Sequence, residues 1–183
     1  MKKIIQIILV LTIVGIISGA SLVLVYNYTS PLILINQKKI TEEAIYKVFP
    51  DGTTYKKIEK TKEDIFLVED KTGKKLGYAF IAEGNGYQGK IDIMVGIKPD
   101  LKTLTGIEVL ESQETPGLGQ EITTNDFENQ FINLQVSPEI NYVRGKKPSK
   151  PNEIQAITGA TISSKSVVSI INNGVKNLKE AVK

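Results

Sequence analysis

The chain has 183 residues, with 23 basic and 20 acidic side chains, a net charge of +3, and neither cysteine nor histidine. This composition excludes thiolate-held iron-sulfur clusters, Cys or His zinc sites, histidine-ligated haem and a Ser-His-Asp triad, so we expect no metal site. If the chain handles electrons, an organic cofactor must carry them. The length allows one ordinary domain and an appendage.

The appendage is segment 4–26, which is uncharged, rich in Ile, Leu and Val, and long enough to span a membrane as a helix. A cleaved secretory signal is the alternative, because Lys2 and Lys3 precede an apolar run that contains the small residues 18–20. The run is longer than the core of a signal and continues beyond those small residues, so we predict a retained anchor, 1–28. The two lysines favour a cytoplasmic N-terminus and an extracytoplasmic domain.

The rest of the chain is nearly neutral. All 20 acidic residues follow the anchor together with 21 of the 23 bases, a net charge of +1. The basic balance therefore gives no indication of nucleic-acid binding.

Residues 29–50 are predicted to form a juxtamembrane connection around Pro31 and a short helix that starts at Thr41 and ends before Pro50. The remaining domain, 51–183, begins with alternating strands. Segments 65–69 and 76–82 flank the Asp- and Gly-containing turn 70–74 and predict a β-hairpin. Segments 91–97 and 105–110 predict a second antiparallel pair, and three glycines mark a tight connection between the pairs, namely Gly84, Gly86 and Gly89.

Residues 124–131 predict a short helix with Phe127 and Phe131 on one face, and 141–151 is a basic, proline-bearing loop. For that loop, a solvated surface is favoured over a docking surface. Residues 163–182 predict a closing helix that is capped by Ser163 or Ser164. Its apolar stripe consists of Val167, Ile171, Val175, Leu178 and Val182. The pattern predicts an α+β fold: a single domain of antiparallel strands with flanking helices, preceded by one transmembrane helix.

Two glycine-containing motifs are candidates for a binding site. Thr158-Gly159-Ala160-Thr161 leads into the closing helix, where small side chains leave backbone N–H groups open to a phosphate and Thr161 presents a hydroxyl. A simple capped helix start is the alternative, and the similar segment 18–21 inside the apolar run shows how common the pattern is. The second motif is Glu114-Thr115-Pro116-Gly117-Leu118-Gly119, whose alternative is an ordinary turn. Their combination indicates a site.

With these motifs the chain resembles the small FMN-binding subunits of ion-translocating respiratory complexes. It is similar to the G subunit of the Rnf-type electron-transport complex and, more distantly, to the C subunit of the sodium-translocating NADH:quinone reductase. The resemblance is carried by the single apolar span, the segment Gly86-Tyr87-Gln88-Gly89 before a strand, the motif 114–119 and the segment 156–164.

The resemblance implies that a flavin transferase, using FAD, joins FMN to Thr161 through a phosphodiester. It implies cofactor contacts of two kinds. Those at the isoalloxazine ring are Glu114, Thr115, Gly117, Leu118 and Gly119; those at the phosphate end are Thr158, Gly159, Ala160 and Ser163. The transferase prefers an aspartate where this chain has Gln155.

The resemblance further implies an electron-relay subunit whose partners are the other membrane subunits of the complex. That complex couples electron flow between reduced ferredoxin and NAD to sodium or proton movement. No catalytic residue for substrate turnover is indicated, so the chain would be enzymatic only as part of the translocase. The alternatives are an anchored sensor that holds flavin or another anion without redox function, and a structural assembly subunit with an empty site.

Overall fold

The computed structural model describes residues 2–58 and 64–182, which fall into two compact units, Met1–Ile40 and Thr41–Lys183. Helix α1, Lys2–Val48, is one continuous helix with Pro31 inside it. Its apolar part has a mean hydropathy of 2.7, none of it is buried, and the helix is long and apolar enough to cross a membrane.

The predicted connection around Pro31 and separate helix from Thr41 are therefore wrong as local structure. A proline inside a helix removes one N–H donor and costs about 3 kcal/mol, but it does not by itself end the helix. No glycine or second proline follows before Pro50, so α1 continues until Val48. Thr41 therefore lies inside the helix and does not act as an N-cap residue. The division of the chain at 28 and 50 stays a prediction.

An antiparallel sheet in the order β1-β2-β3-β4-β5 forms the centre of the second unit. Its strands are β1 Thr54–Lys57, β2 Ile65–Glu69, β3 Lys75–Asn85, β4 Lys90–Ile97 and β5 Leu104–Ser112. Both predicted pairs are present, with the turns where the sequence predicts them. The connection of β3 to β4 is tight, since the Gly86 N–H donates to the Gly89 carbonyl at 2.7 Å. Strand β1 was not predicted from the sequence. It is short and mostly exposed, so it lacks the alternation of apolar and polar residues that indicates a strand.

The sheet is covered on both faces. Phe80 and Ala82 of β3 face the main core, which includes Val167 and Ile171, whereas Ala79 faces a smaller cluster with Ile45 and other residues at the end of α1. This alternation follows from the two-residue period of a strand.

Helix α2, Asn125–Glu128, is a single turn that a 3₁₀ turn, Asn129–Phe131, continues. The rings of Phe127 and Phe131 pack edge to face at 5.5 Å, as the predicted common face requires. The predicted loop at 141–151 is partly wrong, because β6, Asn141–Val143, pairs in parallel with β7, Glu153–Gln155. Strands of three residues carry no readable period, and their pairing is visible only in the fold.

Helix α3 extends from Thr161 to Ala181 and buries the predicted stripe through Leu178, with Val182 partly buried after it. Gly174 costs helix stability but has a packing reason. A Cβ there would lie 2.8 Å from the Phe80 ring and 2.9 Å from the Ala82 methyl, so glycine lets α3 approach β3 closely. The α+β prediction is confirmed: an apolar N-terminal helix precedes one antiparallel sheet with flanking helices.

Candidate functional site

The start of α3 differs from the prediction in register. Thr161 is the first helical residue and Ala160 is the N-cap residue, so neither Ser163 nor Ser164 caps the helix. Ser164 instead lies buried in the first turn, where its hydroxyl donates to the Ala160 carbonyl and accepts the Ile157 N–H, both at 3.0 Å. The serine therefore holds the turn from the inside and leaves its outer side to solvent.

The outer side of this turn is exposed and presents backbone N–H groups, which are features that favour anion binding. Thr158 and Gly159 are exposed and Thr161 is half-buried, whereas the Ala160 side chain is buried. Gly159 has φ +86°, a left-handed conformation that favours glycine. The first N–H groups of α3 have no acceptor within the helix, and the N-terminal end carries the positive end of the helix dipole. The turn can accordingly hold a phosphate at Thr161.

Glu114 connects this turn to the rest of the site. Its side chain is 5% exposed, and Oε1 accepts the N–H groups of Tyr87, at 2.6 Å, and Gln88, at 2.9 Å. Oε2 accepts the hydroxyl of Ser163 at 2.6 Å. One carboxylate thus joins three segments: the β3–β4 turn, the loop after β5 and the first turn of α3.

The pKa of Glu114 is lowered from its ordinary value. Burial disfavours the charged carboxylate, but the Ser163 hydroxyl and the backbone N–H groups of Gln88 and Tyr87 together favour it more strongly. Glu114 is therefore ionised at neutral pH, and the donors around it are matched to a negative charge.

Two glycines make room for this carboxylate. A Cβ on Gly119 would overlap Glu114 and would lie 2.6 Å from the Ser163 hydroxyl. A Cβ on Gly86 would also overlap Glu114 and would lie 2.7 Å from Ile91. The glycines in both segments are thus required by close approach to one side chain.

The structure brings the two predicted motifs together. Leu118, which is 52% exposed, has its Cδ2 atom 3.7 Å from the position a Cβ of Gly159 would take. Gly117 has φ +73° in the turn between the motif's ends. Thr115 is half-buried and donates its hydroxyl to the Gln88 side chain at 2.6 Å, so it faces the β3–β4 turn. The predicted cofactor residues lie in the loop 114–118, at the start of the 3₁₀ helix Gly119–Thr123, in the turn 158–160 and in the first turn of α3.

Sequence patterns missed Gln130 and the role of Ser164. The side chain of Gln130 accepts the Gln155 N–H at 2.7 Å and donates to the Gln155 carbonyl at 3.3 Å, just before the turn at 158. A single glutamine in a polar segment carries no local signal of such a contact. Among the described residues no group of three or more acidic side chains is arranged to hold a metal ion.

The sequence of this chain is similar to those of known proteins. A family profile described as an FMN-binding domain matches residues 86–176. The G subunit of the ion-translocating oxidoreductase complex of Methanosarcina acetivorans is 30% identical over 95% of this chain and 94% of its own length. The chain belongs to this G-subunit family. Another member, from the proton-translocating ferredoxin:NAD(+) oxidoreductase complex of Clostridium ljungdahlii, is 33% identical over 94% of this chain and 86% of its own length.

Solved structures place this member of the G-subunit family in a known fold. The C subunit of the Na(+)-translocating NADH-quinone reductase from Parabacteroides distasonis matches with a TM-score of 0.58 and 26% identity, over 66% of this chain and 63% of that one. NqrC of Shewanella oneidensis gives the same TM-score at 24% identity, over 69% of this chain and 64% of that one. The matched part is thus less than two thirds of each solved chain. The resemblance to both kinds of subunit is confirmed.

Proposed function

We propose that this chain is a membrane-anchored electron carrier in which FMN is esterified through its phosphate to Thr161. In this proposal it is one subunit of an ion-translocating ferredoxin:NAD oxidoreductase complex. The single observation that carries the proposal is the FMN-binding match over residues 86–176, within a chain related to the G subunits over nearly its whole length.

The described residues fit the phosphate end of FMN. The Thr161 hydroxyl stands at the first position of α3, beside N–H groups that lack helical acceptors, and the neighbouring Gly159 adds no side chain. Ser164 braces the turn from within, so the hydroxyl is held on a fixed support. These features support a phosphate ester at Thr161 and phosphate contacts from 158–160.

The attachment reaction is balanced in atoms and charge if FAD donates the FMN group. The Thr161 oxygen forms a bond to the FMN phosphorus, the pyrophosphate bond of FAD breaks, AMP leaves, and the hydroxyl proton goes to solvent or to a base of the transferase. The protein gains the mass of FMN less one water. When bound, FMN supplies the ability to accept and donate electrons.

The shape of the site supports a carrier. Its two loops and the helix start are largely exposed, and the acidic Glu114 is saturated by internal donors, so this carboxylate is not free to act as a base in substrate turnover. A tether removes the need for a deep pocket, because a covalently held cofactor cannot dissociate. In the proposal, an exposed cofactor then allows close approach of redox partners from the same complex.

The apolar segment of α1 supports membrane anchoring, and we propose a cytoplasmic N-terminus with the second unit on the extracytoplasmic side. A signal sequence has the same N-terminal character. The mass of the mature protein distinguishes an anchor from a signal sequence, because a cleaved signal would leave the mature protein without segment 4–26.

The test is expression of the full chain with and without a flavin transferase, followed by a denaturing gel under ultraviolet light. We expect a fluorescent band only with the transferase, and a mass gain on the peptide that contains Thr161. Thr161→Ala should abolish both signals, whereas Thr72→Ala, a matched loss of an exposed threonine hydroxyl in the β2–β3 turn outside both motifs, should retain them. A fluorescent Thr161→Ala band would refute the attachment, and a wild-type chain without flavin would favour the sensor or assembly function.

A further inference from the structure

A second cavity lies at the opposite end of the sheet from the candidate site. The candidate site uses the β3–β4 turn, whereas this cavity lies where the β2–β3 and β4–β5 turns meet the end of α1. The eight residues of β4 keep these two ends about 24 Å apart. The cavity has a volume of about 400 Å³, which is within the range of roughly 300–1,000 Å³ that is usual for small-molecule sites. Its lining belongs to the second unit and includes none of the predicted cofactor residues.

Part of the lining is apolar and held in place. Val48 and Phe49, at the end of α1, are buried, and Leu76 of β3 and Pro99 of the β4–β5 turn add apolar surface. The end of α1 packs directly on the sheet at a glycine. A Cβ on Gly96 would lie 3.0 Å from the Val48 Cβ atom and 3.1 Å from the Phe49 ring. This close packing makes the apolar part of the cavity a fixed surface.

Each of the two turns is fixed by an aspartate. Asp70 Oδ1 accepts the N–H groups of Thr72 at 2.7 Å and Lys74 at 3.0 Å. Asp100 Oδ1 accepts the N–H group of Lys102 at 2.8 Å. Both carboxylates thus bond to the backbone of their own turns, an arrangement that makes the turns rigid.

Two lysines of these turns line the cavity without an ion-pair partner. The ion pairs in the described part of the chain involve neither Lys74 nor Lys98. Lys98 Nζ donates to the amide oxygen of Asn133 at 2.8 Å, which is a neutral acceptor. Asp70 and Asp100 attract the two lysines, but at a longer range than an ion pair. Both ammonium groups can therefore pair with an anion from outside the chain.

The other polar groups of the lining leave it positively charged. Lys75 also lines the cavity, but its ammonium lies over the Tyr78 ring, 3.9 Å from the centroid. Asp51 contributes one carboxylate, so three lysines against one aspartate give the lining a net charge of +2. The hydroxyl of Thr105, in the same lining, is buried and has no hydrogen-bond partner among the described residues. A buried hydroxyl of this kind usually has a ligand or water as its partner.

We propose that this cavity binds a small amphiphilic anion. The apolar body of the ligand packs against Phe49, Leu76 and Pro99. Its phosphate or carboxylate head pairs with Lys74 and Lys98. A bare anion would leave the apolar surface exposed, and an uncharged body would leave both ammonium groups unpaired. A molecule with both parts matches the whole lining, and this inference is independent of the proposed FMN attachment.

The test uses the full chain in an uncharged detergent, with phenyl phosphate as the probe. This probe has an aromatic body and a phosphate head and stays in solution. Binding is measured by calorimetry and by the shifts of backbone amide NMR signals, which should change in the β2–β3 and β4–β5 turns. Inorganic phosphate lacks the apolar body, and benzyl alcohol lacks the charge. Phenyl phosphate should bind at least about 10-fold more tightly than either.

Substitutions in the two turns test the head group. Lys74→Gln and Lys98→Gln should each weaken binding by about 3- to 10-fold, between the effect of an exposed ion pair and that of a charged hydrogen bond. The matched controls are Lys71→Gln and Lys102→Gln, which remove an exposed lysine from the same turns outside the lining. They should bind like wild type. Asp51→Asn should strengthen binding, because it removes the opposing charge.

Three results would overturn the proposal. If phenyl phosphate does not bind, the site is wrong. If the controls weaken binding as much as Lys74→Gln and Lys98→Gln, the probe responds to general surface charge and the site is again wrong. If the amide shifts fall in segment 158–161 and not in the two turns, the phosphate binds at the candidate flavin site and the cavity is refuted.

A last comparison identifies the source of the anion. The chain is placed in phosphatidylcholine nanodiscs with and without phosphatidic acid, which carries the same phosphate head on acyl chains. If phosphatidic acid reproduces the amide shifts in wild type but not in Lys98→Gln, a membrane lipid fills the site. If phosphatidic acid leaves the two turns unchanged while phenyl phosphate still shifts them, the ligand is a soluble amphiphile. Both results support the site.

Discussion

Replacing Glu114 by glutamine tests whether one buried carboxylate holds the site together. Glu114→Gln keeps the shape of the side chain and removes its charge. The amide oxygen can still accept the N–H groups of Tyr87 and Gln88, and the amide nitrogen meets the Ser163 hydroxyl, which must rotate to accept. The change therefore converts three charge-assisted hydrogen bonds into neutral ones.

The magnitude follows from the hydrogen bonds and from the sign of the pKa shift. Hydrogen bonds to charged groups contribute about 1.5–3 kcal/mol and neutral ones about 0.5–1.5 kcal/mol. Burial of the charge offsets part of this difference, but the lowered pKa of Glu114 shows that the bonds outweigh burial. We expect Glu114→Gln to lower the free energy of unfolding by about 1–3 kcal/mol. The equivalent fall in Tm is about 2–12 °C for a chain of this size.

The assay is thermal unfolding of the full chain in detergent, together with hydrogen exchange of the Tyr87 and Gln88 amides. Because the folded pKa of Glu114 lies below its ordinary value of 4.5, the stabilisation is present above that value and is lost as the pH falls through the folded pKa. The difference between wild type and Glu114→Gln should therefore shrink in acid. The exposed Glu121→Gln is the matched control. Equal unfolding of the two variants at neutral pH, with unchanged amide exchange, would refute the reasoning.

Three further predictions concern packing, pH and topology. Gly119→Ala places a Cβ 2.6 Å from the Ser163 hydroxyl and should cost about 1–3 kcal/mol and reduce flavinylation, unlike Gly106→Ala, whose nearest neighbour is at 3.8 Å. Burial raises the pKa of Glu128 to about 7, a rise that the nearby Glu108 supports and that Lys47 and the Val109 N–H oppose. Wild-type stability should thus decline by about 2 kcal/mol, after allowance for solvent screening, as the pH rises from the ordinary pKa toward 7, and Glu128→Gln should flatten that decline in a series of melting curves. Because the chain has no cysteine, Lys71→Cys in the exposed β2–β3 turn provides the sole thiol. A membrane-impermeant maleimide should label it in intact cells, and labelling only after lysis would reverse the proposed topology.

Local periodicity accounts for the parts of the fold that the sequence predicts well. The hairpin of β2 and β3 and the pair β4 and β5 alternate with a period of two, and α3 repeats its apolar residues at helical spacing. Both patterns arise from burial on one face, which each segment expresses in its own residues. The two candidate motifs are visible in the sequence for a similar reason, since glycines that allow close approach stand out in a single loop.

Long-range contacts account for the parts that stayed hidden. Glu114 and Ser163 are far apart in the chain, and only the fold shows that a residue predicted to line a ring is a buried acceptor for donors from two other segments. The start of α3 at Thr161 depends on the buried Ser164, whose two hydrogen bonds replace the cap that its sequence position suggests. Whether Glu114 also contacts the ring stays a prediction.

The side chain of Gln130 has a consequence for self-association. Strand β7 pairs with β6 on one side, and the backbone N–H and carbonyl of Gln155 are both taken by the Gln130 amide. A primary amide has the same donor and acceptor as a peptide group, so Gln130 acts as one rung of a missing strand. This rung occupies the outer edge of β7 at Gln155, just before the turn at 158, so a foreign strand cannot pair with that residue, and aggregation by β-pairing is opposed there.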